Sequence, residues 1–334
     1  MQKRNALVSF LQVFGIILVV AGHSDYQIPD NPVHRWIYSF HMPLFMFISG
    51  YLLRYGLREK SLATTSMYGA KGFIWKKVRR LLIPYVFISS LAFFPKAWMS
   101  RFAARPLDIS WDSYLNMLIY PWDNVIIFFW FLPTLFIIFL IVVYSAKLLA
   151  KFRITVPWGF LLLILVGLHL FNPMKGFMLL NIGGVINYLL YFGLGYYCCR
   201  NHLEQYFRRS PAALFVGTFI LSLVLPFLPK FFAQDVLMAI NGIAMSICLG
   251  HLYVRTDSTF LAHLYGSSYA IYLFSWFPQV AFQQVLMKLT GAPWPVTSAL
   301  ALIGGIYIPW LIYRWILKNK ENRAGRVVAY LTGQ

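Results

Sequence analysis

Ten stretches of this chain are apolar for long enough to cross a bilayer, and they follow one another with little between them. They lie near residues 6–24, 35–54, 80–98, 124–147, 154–172, 178–199, 211–229, 235–254, 264–288 and 294–317. A helix needs about 20 mostly apolar residues to span hydrocarbon. The blocks lack the short alternation of barrel strands, so the fold class is all-α. We read a polytopic bundle of about ten transmembrane helices, with residues 1–334 forming a single transmembrane domain and no separate soluble domain. Several blocks contain Pro or Gly, which spans tolerate when neighbouring groups satisfy the backbone. The first block is too long for a cleavable signal, and no export-type cleavage site follows it. With 60% hydrophobic and 12% charged residues, disordered, collagen-like and ordinary soluble classes are excluded.

The 29 Lys and Arg against 10 Asp and Glu give a net charge of +19. Such a balance can signal nucleic acid, but here the cations sit between apolar blocks. Control of topology explains them, and no nucleic-acid partner is expected. The ten-span reading places 22 of the 29 on one side. These include Lys3 and Arg4, the 54–80 loop, Lys147 to Arg153, Arg200, Arg208, Arg209, Arg255 and the tail from Arg314 to Arg326. Both termini are therefore expected in the cytoplasm, in a multi-pass protein of the cell (inner) membrane. The stretch 96–123 reads as an outer loop carrying an interfacial helix. Cys198, Cys199 and Cys248 fall in or near spans and read as small apolar residues. Without ligand spacing among His, Cys, Asp and Glu, no metal is expected.

All ten acids fall in loops or at span ends. Proton- or sodium-coupled transporters usually need a carboxylate inside the membrane, so that class is disfavoured. The interior polar residues are Gln12, His23, His41, Asn181, Asn187, Asn241, His251 and Gln279. His23 ends the first span, and Gln12 lies eleven residues before it, which is three helical turns plus roughly 20°. The two share a face. His41 opens the second, returning span, so both histidines are expected at similar depth in the outer part of the membrane. Trp130 starts another inward-running span at that level. His34, His169, His202, His251 and His263 read as structural. Trp130 also fits a belt aromatic, and Ser49-Gly50 a close-packing element. The run Lys76, Lys77, Arg79 and Arg80 fits either anchoring on anionic lipid or a phosphate-rich ligand, since Arg forks suit phosphates.

These residues resemble the acyltransferase-3 family of integral-membrane acyltransferases. Phe14–Ser24 is similar to its first span and Phe40–Tyr51 to its second-span signature. Lys77–Tyr85 resembles its basic segment before the third span. Trp130–Phe136 and Ser268–Leu273 match later motifs in the right order. The branch it most resembles is the bacterial sugar O-acetyltransferases of the fucose 4-O-acetylase type. Two positions depart from that pattern: Gln12 where the family often has Arg or Lys, and Ser275 where many relatives carry His.

The resemblance implies acyl transfer, usually of acetyl, from cytoplasmic acetyl-CoA or another acyl-CoA to a hydroxyl of a cell-surface carbohydrate or its lipid-linked precursor. No bound cofactor is implied, because acyl-CoA is the donor substrate. His23 would be the essential residue and general base. Asp25 would orient it, as carboxylates do for catalytic imidazoles. An oxyanion needs positioned donors, for which Gln12, Ser49 and backbone N–H groups near Pro43 are candidates. Lys76, Lys77, Arg79 and Arg80 would take the CoA head, and His41, Ser49 and Trp130 would line the substrate site. Two routes are open: the acyl arm reaches into the bundle for direct transfer, or His23 carries acyl as an intermediate. The competing readings are a transporter or flippase for a lipid-linked sugar or small solute, and a catalytically lapsed relative acting as a partner in glycan assembly.

Overall fold

A computed structural model describes residues 5–24, 31–57, 61–69, 72–98 and 108–334. All regular structure among them is helical, as the block pattern predicts. In chain order the helices are α1 (Ala6–His23), α2 (Pro32–Tyr38), α3 (His41–Leu57), α4 (Phe73–Lys77), α5 (Ile83–Trp98), α6 (Trp111–Ile119), α7 (Phe131–Lys151) and α8 (Trp158–Leu170). They continue as α9 (Ile182–Asn201), α10 (Pro211–Val224), α11 (Gln234–Arg255), α12 (Ser268–Phe274), α13 (Trp276–Val280), α14 (Met287–Thr290), α15 (Trp294–Lys318) and α16 (Arg323–Leu331).

Seven helical segments among the described residues are long and apolar enough to cross a membrane. The other three apolar blocks are shorter or interrupted. α8 has 13 residues and α10 has 14. The block 264–288 stays helical through Ser275, whose N–H bonds the Ile271 carbonyl and whose carbonyl accepts from Gln279, and is interrupted by a π-helical turn, Ala281–Leu286. Block length alone therefore overstated the number of full-length helices. The outward faces are apolar: Phe160, Leu163, Val216, Ile220 and Leu223 are exposed, Leu163 by 67%. Water would not tolerate such a surface on a monomer, whereas lipid does.

The chain gathers into two compact units. The first comprises Met1–Gly56 and Tyr191–Arg314, the second Leu57–Leu190 and Trp315–Gln334. In the first unit α1 and α11 run antiparallel. Gly250 of α11 lies against Leu7 and Phe10 near the start of α1, and Met245 packs with Leu18 further along. Phe40 closes this core against Gly242, where a Cβ would fall 2.2 Å from the Phe40 ring. α3 and α9 meet backbone to backbone. A Cβ on Gly50 would lie 1.9 Å from the Phe192 carbonyl oxygen, and one on Gly195 would lie 1.9 Å from that of Phe47. Small residues permit such contact, and dispersion rewards it in lipid. The close-packing reading of Ser49-Gly50 thus describes what Gly50 does.

In the second unit, α4 passes into α5 through a π-helical turn, Val78–Leu82. Pro84 supplies a reason. It has no N–H for the Arg80 carbonyl four residues back, so the regular ladder cannot continue there. The expected interfacial helix of the 96–123 stretch is α6, capped by Ser110. It is tied to α5 by the Tyr85 hydroxyl, which donates to the carbonyls of Met117 and Leu118.

Replacing Gly50 or Gly195 by Leu should prevent the α3–α9 contact, and overpacking of this kind costs about 1–3 kcal/mol or more. Thermal unfolding in detergent should register a clear loss for either variant. Gly56→Ala, where nothing lies within 4 Å of the added carbon, should leave the midpoint unchanged.

Candidate active site

The first unit assembles an imidazole-rich cluster at the end of α1. α2 begins with Pro32, capped by Asn31, whose side chain accepts from the His34 N–H at 2.7 Å. His34, Tyr38 and His41 then follow at the i, i+4, i+7 spacing that lines one helical face. The His34 ring stacks on Tyr38 at 3.8 Å between centroids, and the His41 ring meets Tyr38 edge-on at 4.7 Å. The Tyr38 hydroxyl lies 3.3 Å from Nδ1 and 3.4 Å from Nε2 of His23. Gly22 makes the approach possible, since a Cβ there would come 2.8 Å from the Tyr38 ring. Tyr38 therefore sits among three histidines, and His34 is one of them despite its structural reading from sequence. Position 38 carried a signal in the i, i+4, i+7 pattern with the histidines.

His41 is buried, and its Nδ1 lies 2.9 Å from the Ile37 carbonyl. A carbonyl only accepts, so Nδ1 carries the proton and Nε2 is the basic nitrogen of the neutral ring. His23 is half-buried at the last position of α1. Its carbonyl accepts from Gln283 Nε2 at 3.2 Å. One turn earlier, Gln279 Nε2 donates to the Val20 carbonyl at 2.9 Å and to Ser24 Oγ at 3.1 Å. Two glutamines thus satisfy the open carbonyl end of the helix that carries His23. Gln279 is visible in the sequence as an interior amide. Gln283, four residues on, was missed because the surrounding block reads as one continuous span.

The other expected residues fall elsewhere. α1 is unbroken, so eleven residues at 1.5 Å each hold Gln12 about 16 Å along the axis from His23. Gln12 is half-buried, and its side chain makes no hydrogen bond among the described residues. That distance corrects its candidacy as a donor to an oxyanion beside His23. Ser49 Oγ donates to the Phe45 carbonyl of its own helix at 2.8 Å. Pro43 lies in the first turn of α3, where its missing N–H costs little, and the next N–H, of Leu44, bonds the Phe40 carbonyl at 2.9 Å. Asp25 lies outside the described residues. His169 and His251 each bond a backbone carbonyl, of Asn187 and Glu204 respectively, which is a structural use. Among the described residues no three His, Cys, Asp or Glu side chains gather as metal ligands.

The second unit holds Trp130 and the basic run. Trp130 is 6% exposed and is sandwiched between Trp122, at 5.0 Å, and Tyr188, at 5.2 Å. Both ring faces are covered, so a sugar cannot stack on Trp130. Trp122 is the half-open end of the stack. Its indole N–H donates to Asn181 Oδ1 at 2.9 Å, and Asn181 Nδ2 donates to Thr134 Oγ1 at 2.8 Å. In the basic run, Lys77 is turned onto aromatic rings, with Nζ 3.4 Å from the Phe139 centroid and 5.3 Å from that of Phe73. A cation held over a ring face is engaged electrostatically. Lys77 is therefore set apart from Lys76 and Arg80, which are exposed. Arg79 lies 5.1 Å from the Tyr330 ring of α16.

Removing the α1 cap should loosen the His23 end. Gln279→Leu removes one of the two side-chain donors to the Val20 carbonyl, the other being Ser24 Oγ, and Gln283→Leu removes a donor to that of His23, a loss of about 0.5–1.5 kcal/mol apiece. Hydrogen exchange of the last turn of α1 should accelerate in both variants, and unchanged protection would show that the cap is dispensable.

Comparison with known proteins places this architecture. The sequence profile described as an acyltransferase domain, that of the acyltransferase-3 family, matches residues 6–314. The nodulation protein NolL of Sinorhizobium fredii is similar over 97 residues at 38% identity, covering 27% of this chain and 24% of that protein. This chain therefore aligns with less than two thirds of that relative's length. No solved structure matches. With its apolar helices and a family match that runs from the first helix to Arg314 of α15, the chain belongs to the acyltransferase-3 family.

Proposed function

We propose that this protein transfers an acyl group, most simply acetyl, from acyl-CoA to a hydroxyl of a cell-surface carbohydrate or its lipid-linked precursor. The observation that carries the reading is the imidazole cluster at the end of α1 in a chain of acyltransferase family. A sugar hydroxyl is a weak nucleophile at neutral pH. In the proposed step a basic ring nitrogen of His23 takes the hydroxyl proton as the oxygen attacks the thioester carbonyl. The C–O bond forms, the C–S bond breaks, and the thiolate leaves and is protonated. Tyr38, 3.3 Å from the ring, orients His23 by its hydroxyl. His41, with its proton fixed on Nδ1 by the Ile37 carbonyl, presents Nε2 as an acceptor for a second substrate hydroxyl. Asp25 retains its proposed place beside His23. Direct transfer is favoured over an acyl-His23 intermediate, because it needs no second attack at the same ring.

The nucleotide end of the donor is assigned to Lys76 of α4 and to Arg79 and Arg80 on the widened turn before α5. Lys77 supports them from its seat on Phe139. Proposed partners are the acyl-CoA donor, the glycan acceptor and membrane lipid. The proposed location is the inner membrane with both termini in the cytoplasm, on the 22-to-7 division of basic residues.

His23→Ala should lower transfer to a glycan acceptor by about 10²–10⁴-fold, the usual contribution of a positioned base, with expression and thermal midpoint kept. Activity within a fewfold of wild type would remove the general-base role. Arg79→Ala/Arg80→Ala should raise the apparent KM for acyl-CoA at least tenfold while changing kcat little. An unchanged KM would return this run to lipid anchoring.

A further inference from the structure

At the α1 N-terminal end of the first unit, opposite His23, lies a cavity of about 510 Å3 that the acyl-transfer scheme does not use. The segment Leu203–Arg208, a 3-10 helix, forms one wall, and the last turn of α11 forms the other. Arg208, Arg209 and Arg255 face it, together with Asn201, Gln205 and Tyr206. We propose that this cavity is a binding site for a phosphate group.

Three observations carry it. First, the cations lack an acid. The acid of this segment, Glu204, is 8% exposed and turned into the bundle. There its carboxylate accepts from the Tyr51 hydroxyl at 3.1 Å and from Cys198 Sγ at 3.7 Å. The ion pair found among the described residues is His202 with Glu204, at 3.9 Å, and none involves the three arginines. Three guanidinium groups around one concavity repel each other until an anion arrives.

Second, the wall is built rather than draped. His251 Nε2 donates to the Glu204 carbonyl at 2.8 Å, and Arg255 donates to the Arg208 carbonyl. Both come from α11, so the helix that supplies one cation also fixes the backbone that carries the other two. Guanidinium forks suit phosphate oxygens, and here two of them extend from a backbone that α11 holds.

Third, the lining offers more than charge. The Asn201 and Gln205 side chains add amides, and the Tyr206 ring is exposed, with the Arg209 guanidinium 5.9 Å from its centroid. Cations that merely anchor a loop on a membrane need no concavity, whereas phosphate recognition does.

Two sources supply this chemistry: the phosphates of the nucleotide-linked donor, in which case this cavity takes over the part assigned above to Lys76, Arg79 and Arg80, and the headgroup of an anionic lipid. The inference does not rest on the catalytic role of His23 or on the Lys76–Arg80 assignment. The test uses purified full-length protein in uncharged detergent and the variant Arg208→Gln/Arg209→Gln. Binding of coenzyme A is titrated by calorimetry. Retention of phosphatidylglycerol against phosphatidylcholine is read by native mass spectrometry from mixed-lipid nanodiscs. At least a tenfold loss of coenzyme A affinity in the variant identifies the nucleotide as the source. A comparable loss of phosphatidylglycerol preference identifies the lipid. Either supports the site. Wild-type behaviour in both arms, from a variant with an unchanged thermal midpoint, overturns it. If the variant does not fold, phenylglyoxal labelling of the wild-type protein decides. Arg208, Arg209 and Arg255 should be protected by coenzyme A or by phosphatidylglycerol, and labelling that neither slows overturns the proposal.

Discussion

A helix that ends inside a bundle leaves carbonyl groups with no partner of their own, and hydrocarbon offers none. The last turn of α1 is such an end, and the chain answers it with side-chain amides from a distant segment. Gln279 takes the Val20 carbonyl and Gln283 takes that of His23. The ring of His23 is thereby carried on a backbone tied down from outside its own helix. The interruption of the 264–288 block follows from the same need. Its π-helical turn begins just after Gln279 and contains Gln283, so the departure from regular winding falls where the two amides are delivered. Gly22 completes the arrangement by letting Tyr38 lie flush against that final turn.

Much of this was legible in the sequence, and the reasons are specific. Apolar blocks of bilayer length give helices, because lipid leaves the backbone no alternative in a chain without barrel alternation. His23 and His41 stand out as rare polar residues at span ends, and the structure brings both to Tyr38. Tyr38 was overlooked because it falls inside the apolar block 35–54, and His34 was read as structural because it lies just before that block. Gln283 was hidden in an apolar block whose winding changes partway along. Trp130 was read correctly as unusual, but a lone Trp in sequence does not reveal that Trp122 and Tyr188 cover its two faces. Lys77 looked equivalent to its basic neighbours. The aromatic rings that hold it come from 62 residues further on, at Phe139, as well as from the nearby Phe73.

The positive charges divide in kind as well as in place. Arg79 and Arg80 ride on a widened helical turn created by Pro84, and Arg79 meets an aromatic ring of α16. α16 lies beyond the stretch matched by the family profile. Arg208, Arg209 and Arg255 surround a hollow whose nearest acid has been drawn into the interior by a tyrosine and a cysteine. In membrane proteins the division of Lys and Arg between the loops of the two sides sets orientation. Local geometry sets the surroundings of each cluster: a widened helical turn in one, a concave wall in the other.

The crossing of α3 and α9 has a mechanical consequence. Where helices touch through long side chains, a change of rotamer lets one slide past the other. At Gly50 and Gly195 main chain meets main chain, and there is nothing to re-rotate. The pair is a fixed pivot, with a stiff lever running from His41 to the far end of the same helix. Within that unit, any rearrangement has to come from contacts other than this crossing.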